Sequence, residues 1–190
     1  MILGSHNSWS YLTPKKWWMK PFAFTAKCQD EDIYSQNFSY GVTCFDLRVR
    51  FNKKGELILA HGFMEYKYSK DFLMQDLAFL NSRRNVCVRI LHEVRNKEQY
   101  SNSPTLKFIE FCKELEEKFP DIKFWCGRNL YNWEVDYEFS YNPSCEELYS
   151  SVCSPKLIDD WYPRLYAKRN NKKIKSTDKD ILLVDFVNYL

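Results

Sequence analysis

No apolar run in these 190 residues approaches the ~18 that a membrane-spanning helix needs. No internal repeat or low-complexity tract occurs, which excludes solenoids and disordered tails as the main architecture. The charge imbalance is only +3, too small by itself to argue for a nucleic-acid partner. A Cys-x-x-Cys pair is also missing: the cysteines stand at 28, 44, 87, 112, 126, 145 and 153, several inside apolar runs such as Val86-Cys87-Val88. That pattern suits buried free thiols in a reducing compartment, and an odd count cannot pair fully within one chain. Met1-Ile2-Leu3 leaves no room for a basic region plus an apolar stretch of ~7–15 residues, so no signal peptide is read. The expectation is a soluble, cytoplasmic protein, or a secreted one if a leader has been removed.

What is present suits one domain over residues 1–190 with a sizeable core: 45% hydrophobic and 28% charged, with 17% aromatic. Residues 42–51 alternate, Phe45, Leu47, Val49 and Phe51 on one face and Cys44, Asp46, Arg48 and Arg50 on the other. Such a polar face fits an edge strand beside water, or a barrel strand turning polar towards its C-terminal end. Gly55 turns the chain into a strand over Glu56 to His61. A helix is expected over 72–80, a strand over 85–93, and a helix from Ser103-Pro104, with Ser103 as N-cap, to a stop at Pro120. A short strand follows over 122–126, closed by Gly127, while 127–154 gives no clear element. Ser154-Pro155 opens a helix to about Lys168 that Pro163 limits or kinks. Residues 168–175 read as a basic connector, and 181–187 as an apolar strand covered on both faces. Strands alternating with helices argue for the α/β class with a parallel sheet.

Two of the three histidines lie in short segments, Gly4-Ser5-His6-Asn7-Ser8 and Leu59-Ala60-His61-Gly62. Imidazole titrates near neutrality, so a pair can act as base and acid at one pH. Arg48 shares a strand face with Asp46 and could brace the charge that builds on a phosphorus-bound oxygen. Asp185 closes Leu182-Leu183-Val184, where a carboxylate is costly without a partner; Arg89 is one candidate. His92, on the face opposite Glu93, is not expected to be catalytic. These residues make a plausible acid–base apparatus for phosphodiester cleavage.

Four ordered segments carry a resemblance: Gly4-Ser5-His6-Asn7-Ser8, Gly41 to Arg48 ending Asp46-Leu47-Arg48, His61-Gly62, and Ile181 to Phe186 ending Asp185-Phe186. Together they resemble the X domain of phosphatidylinositol-specific phospholipase C, over residues 1 to about 95 and again 180–190, with no family motif over 96–179. The resemblance implies a single PLC-like phosphodiesterase domain with a TIM-type (β/α) barrel. At 190 residues the barrel should be shortened or distorted, since ~200–250 is usual. It also implies attack by a neighbouring hydroxyl through a cyclic phosphate, with His6 as base, His61 as acid and Asp185 fixing the tautomer of His6. Arg48 stands where metal-dependent, animal-type enzymes carry a calcium-binding carboxylate, so the chain resembles the bacterial, metal-independent type and no cofactor is expected. Asn7 departs from that type, which has an aspartate paired with the acid histidine; without it His61 should have a weaker partner and a lower pKa. The implied catalytic set is His6, His61, Arg48, Asp46, Asp185 and Asn7, with Arg89 and Glu93 as weaker substrate contacts. Calcium on Asn7, Asp46 and Glu93 is the alternative.

The substrate implied is a phosphoinositide or another phosphodiester, lipid or soluble; a non-catalytic phosphoinositide- or protein-binding domain is the rival from another class. Pro14 to Phe22 mixes lysines with Trp17 and Trp18, which could dip into a lipid interface while the cations meet anionic headgroups. A loop folded onto the barrel rim, or a protein contact, would carry the same residues.

Overall fold

The computed structural model describes residues 1–52, 54–93, 102–126 and 137–190, with only the helix path given at 102–105. Among these, the strands are β1 (Ile2–Ser5), β2 (Cys44–Phe51), β3 (Leu57–His61), β4 (Met64–Glu65), β5 (Cys87–His92), β6 (Lys123–Cys126), β7 (Cys145–Leu148) and β8 (Ile181–Val184). The helices are α1 (Ile33–Tyr40), α2 (Lys70–Asn81), α3 (Asn102–Lys118), α4 (Ser150–Cys153), α5 (Leu157–Trp161) and α6 (Pro163–Asn170). Short 3-10 segments span Trp17–Thr25, Asn171–Lys173 and Val187–Tyr189.

β2 organises the sheet. It runs parallel to β5 from Cys44 beside Cys87 to Val49 beside His92. On its other edge the first residues pair with β1, and the last three turn over through Gly55 (φ 76°) into antiparallel β3. β1 lies parallel to β8, β8 to β7, and β5 to β6. The parallel order is therefore β6-β5-β2-β1-β8-β7. No pairing joins β6 to β7 among the described residues, so the sheet curls into a half-barrel. This is the mixed α/β, distorted TIM-type architecture.

Period-two alternation divides the side chains between two cores. The outward set, including Phe45, Leu47, Val49, Val88, Ile90 and Val184, packs with Leu73, Leu77 and Leu80 of α2 and Phe108, Phe111 and Leu115 of α3. Each such residue contributes about 1.5–3 kcal/mol on burial. The inward set begins with Cys44, Cys87, Trp125, Ile181 and Leu183. Gly4 belongs to that inner layer: a Cβ there would strike the Leu183 side chain and stand 3.1 Å from Cβ of Cys44.

The polar face of β2 turns inward, Asp46 being 0% exposed, so of the two readings of that strand the barrel strand holds and the edge strand beside water does not. Several other sequence expectations need correction. The final strand stops at Val184, and 187–189 form a 3-10 turn. Part of the basic stretch 168–175 is helical, inside α6 and the turn after it. The helix opened at Ser154-Pro155 is two helices, α5 ending at Trp161 and α6 starting at Pro163, where proline suits the first helical position. The chain around Trp17 forms a 3-10 segment, not an open loop. α3 starts one residue before Ser103, whose proposed cap side chain lies outside the described residues, as does Gly127. α1, capped by Asp32 on the Ser35 N–H and closed by Gly41 at φ 68°, was not anticipated, nor was β7.

Candidate active site

Register alone brings the first polar pair together. Ser5 of β1 faces Val184 of β8, so the next residues, His6 and Asp185, leave their strands side by side. Asp185 Oδ1 lies 2.7 Å from Nδ1 of His6. On the other side of the ring, Arg48 Nη2 lies 2.7 Å from Nε2. Guanidinium only donates, so Nε2 accepts, and Nδ1 therefore carries the proton given to Asp185. His61 closes β3 edge-on to His6, ring centroids 5.5 Å apart at 85°. Tyr149, just after β7, stacks on His6 at 3.9 Å and 8°.

Arg48 joins the groups electrostatically. Its Nε donates to Asp46 Oδ2 at 2.9 Å, and Nη1 stands 3.6 Å from Glu93. Burial opposes charging of Asp46, but Arg48 and Arg89 outweigh it and hold the carboxyl well below the usual range. Burial likewise opposes the Arg48 charge, which Asp46 and Glu93 restore. Glu93 also stays ionised: burial would raise its pKa, but Arg48, His61 and the Gly62 N–H lower it. His61 is pushed down to about 4 by burial and by the Arg48 charge. Its Nδ1 donates to the Ala26 carbonyl at 3.0 Å, a partner far weaker than a carboxylate. The direction agrees with the expectation, but burial and the Arg48 charge are its causes.

No family model matches the chain. Among curated proteins, 102 residues, 51% of this chain, align at 21% identity with the oligopeptide transport ATP-binding protein OppF of Mycoplasma pneumoniae, spanning 12% of that protein. The chain has no Gly-Lys-Ser/Thr step of a phosphate loop, so that likeness brings no nucleotide site with it. Solved structures give a likeness over the whole chain. A mutant phosphatidylinositol-specific phospholipase C of Staphylococcus aureus superposes with a TM-score of 0.68 at 17% identity, covering 100% of this chain and 86% of that one. A second structure of that enzyme gives 0.61 at 14%, with the same coverage. The fold is that of phosphatidylinositol-specific phospholipase C.

Within this phospholipase C-like fold, the remaining candidates take distinct positions. Asn7 adopts the left-handed region at φ 44°, which asparagine tolerates, and its backbone N–H donates to Asp46 Oδ2 at 2.9 Å. Arg89 does not pair with Asp185. It binds Glu147, stands 3.8 Å from Asp46 Oδ1 and lies over Trp125. His92 is buried in the outer core, stacked on Phe108 at 4.7 Å. Trp17 is 80% exposed and Trp18 49%, while the next residue, Met19, is buried.

Sequence reasoning missed three neighbours of the pair. Tyr149 and Glu147 lie in the stretch with no readable pattern; the Tyr149 hydroxyl donates to Glu147 at 2.7 Å, linking the stacked ring to Arg89. Cys28, whose Sγ is 4.0 Å from His61 Nδ1, had no local signal beyond its residue type.

Proposed function

We propose that this protein is a metal-independent phosphodiesterase acting on phosphatidylinositol or a close relative, by the two-step logic of a neighbouring hydroxyl attacking phosphorus. The observation that carries the reading is the line Asp185–His6–Arg48, which holds a proton-free, buried Nε2 against a fixed cation beside a second imidazole. In this reading the substrate hydroxyl replaces Arg48 at Nε2 and gives its proton to His6. Asp185 stabilises the imidazolium that forms, as triad carboxylates do. Arg48 swings its freed N–H onto the phosphoryl oxygen, where charge accumulates. His61 protonates the departing alkoxide, which yields a cyclic phosphate and a free alcohol.

Calcium has no function in this scheme. Arg48 stands between Asp46 and Glu93, 2.9 and 3.6 Å away, and already neutralises the carboxylates that a calcium ion would need. One of the solved neighbours is described for its membrane binding. Exposed Trp17, Trp18 and Phe22, together with Lys16 and Lys20, support the same interfacial habit for this chain. The decisive experiment is an assay on phosphatidylinositol, its glycan-linked form and soluble phosphodiesters, with and without chelator. Release of a cyclic phosphate supports the proposal. No cleavage of any of the three would leave a binding domain.

A further inference from the structure

We propose that His6, Cys28 and His61 form an inhibitory site for a thiophilic divalent ion of the zinc type. One ligand atom from each lies within 4.8 Å of the others, and Cys28 Sγ is 4.0 Å from His61 Nδ1. A tetrahedral zinc ion with nitrogen at about 2.0–2.1 Å and sulfur at about 2.3 Å sets neighbouring ligands about 3.3–3.7 Å apart, so closure needs movements of about 1 Å. Two imidazoles and a thiolate are a soft donor set that suits zinc and leaves a fourth position open. Calcium, which takes oxygen ligands, is excluded from this trio.

The three ligands come from separate segments, each already held. His6 is fixed by Asp185 and the Tyr149 stack. Cys28 is fixed through its N–H to the Ser10 hydroxyl at 2.9 Å and its carbonyl to the Phe186 N–H at 2.6 Å. His61 is held by its Nδ1–H on the Ala26 carbonyl, a bond it exchanges for the ion if Nδ1, the nitrogen nearest Cys28, is the ligand. Burial keeps the Cys28 thiol protonated in the metal-free protein. Zinc binding would release that proton to solvent and leave a thiolate on the metal. The Arg48 cation opposes a second positive ion, but the new thiolate and the carboxylates of Asp185 and Glu93 offset it. Asp185, whose Oδ2 is buried without a hydrogen-bond partner, adds to burial in raising the Cys28 thiol pKa.

Both ring nitrogens of His6 are occupied, so the ion must displace either Asp185 or Arg48. Inhibition follows from that displacement and rests on the proposed role of His6; metal binding does not. The test titrates the metal-free protein with Co²⁺ as a spectroscopic probe and then displaces it with Zn²⁺. One equivalent of cobalt should give a thiolate charge-transfer band with tetrahedral visible bands. The band should vanish in Cys28→Ala and in the near-isosteric Cys28→Ser, and zinc affinity should fall more than about tenfold in His61→Ala. A cobalt spectrum lacking the thiolate band, or unchanged zinc affinity in folded Cys28→Ser, overturns the site. Where phosphodiesterase turnover is found, micromolar zinc should suppress it and chelator restore it. A thiolate band in a protein with no turnover would sink the proposed function while sustaining the metal site.

Discussion

Asp185 and His6 are 179 positions apart in sequence and 2.7 Å apart in space, joined by a buried hydrogen bond that sets the ring's tautomer. Asp185→Asn keeps the volume but can offer an N–H where an acceptor is required. Turnover should fall by about 10²–10⁴-fold, with circular dichroism and melting temperature close to wild type. Near-normal turnover would remove His6 from the role of base.

Arg48 supplies the fixed charge. Arg48→Lys retains that charge but loses the fork that reaches Asp46, His6 and Glu93 together, so turnover should drop by about 10²–10³-fold. Wild-type activity should be unaffected by excess chelator. Loss on chelation with recovery on adding calcium would place Asn7, Asp46 and Glu93 around a metal.

Two histidines have depressed values: His61 and His92 are each lowered to about 4, chiefly by burial and then by a nearby arginine. Between about pH 4 and 6.5 the unfolded chain binds more protons at these positions than the folded one. Stability should therefore decline as pH falls from about 6.5 to 4. Denaturant titrations across that window measure the slope, and His92→Phe should flatten it. A slope that is absent or reversed would contradict the assignment.

Trp17→Ala with Trp18→Ala should weaken binding to anionic phosphatidylinositol vesicles and lower turnover on them, leaving a soluble phosphodiester nearly unaffected. The two rings are 80% and 49% exposed, so little folding energy depends on them. Equal losses on both substrates would assign the segment to supporting the rim.

Gly4→Ala tests the inner core. The added methyl meets the Leu183 side chain and the Cys44 carbonyl at 3.2 Å, and should destabilise by about 1–3 kcal/mol in chemical denaturation. An unchanged midpoint would mean that β1 and β8 part easily.

The short-range grammar of the chain was enough for much of the fold. Alternation in 42–51 gave β2, the apolar stripe ending at Pro120 gave α3, and Pro163 marked the break between α5 and α6, because these signals depend on neighbours within a few residues. The residues His6, Arg48, His61 and Asp185 were legible through the family resemblance that their short segments carry. Only the tertiary structure decided that the polar face of β2 points into the curled sheet, that Arg89 serves Glu147 and Asp46 instead of Asp185, and that Tyr149 and Cys28 complete the surroundings of the histidines. Those contacts join segments tens to more than a hundred residues apart. Their geometry is set by strand register and sheet curvature, which no local pattern encodes.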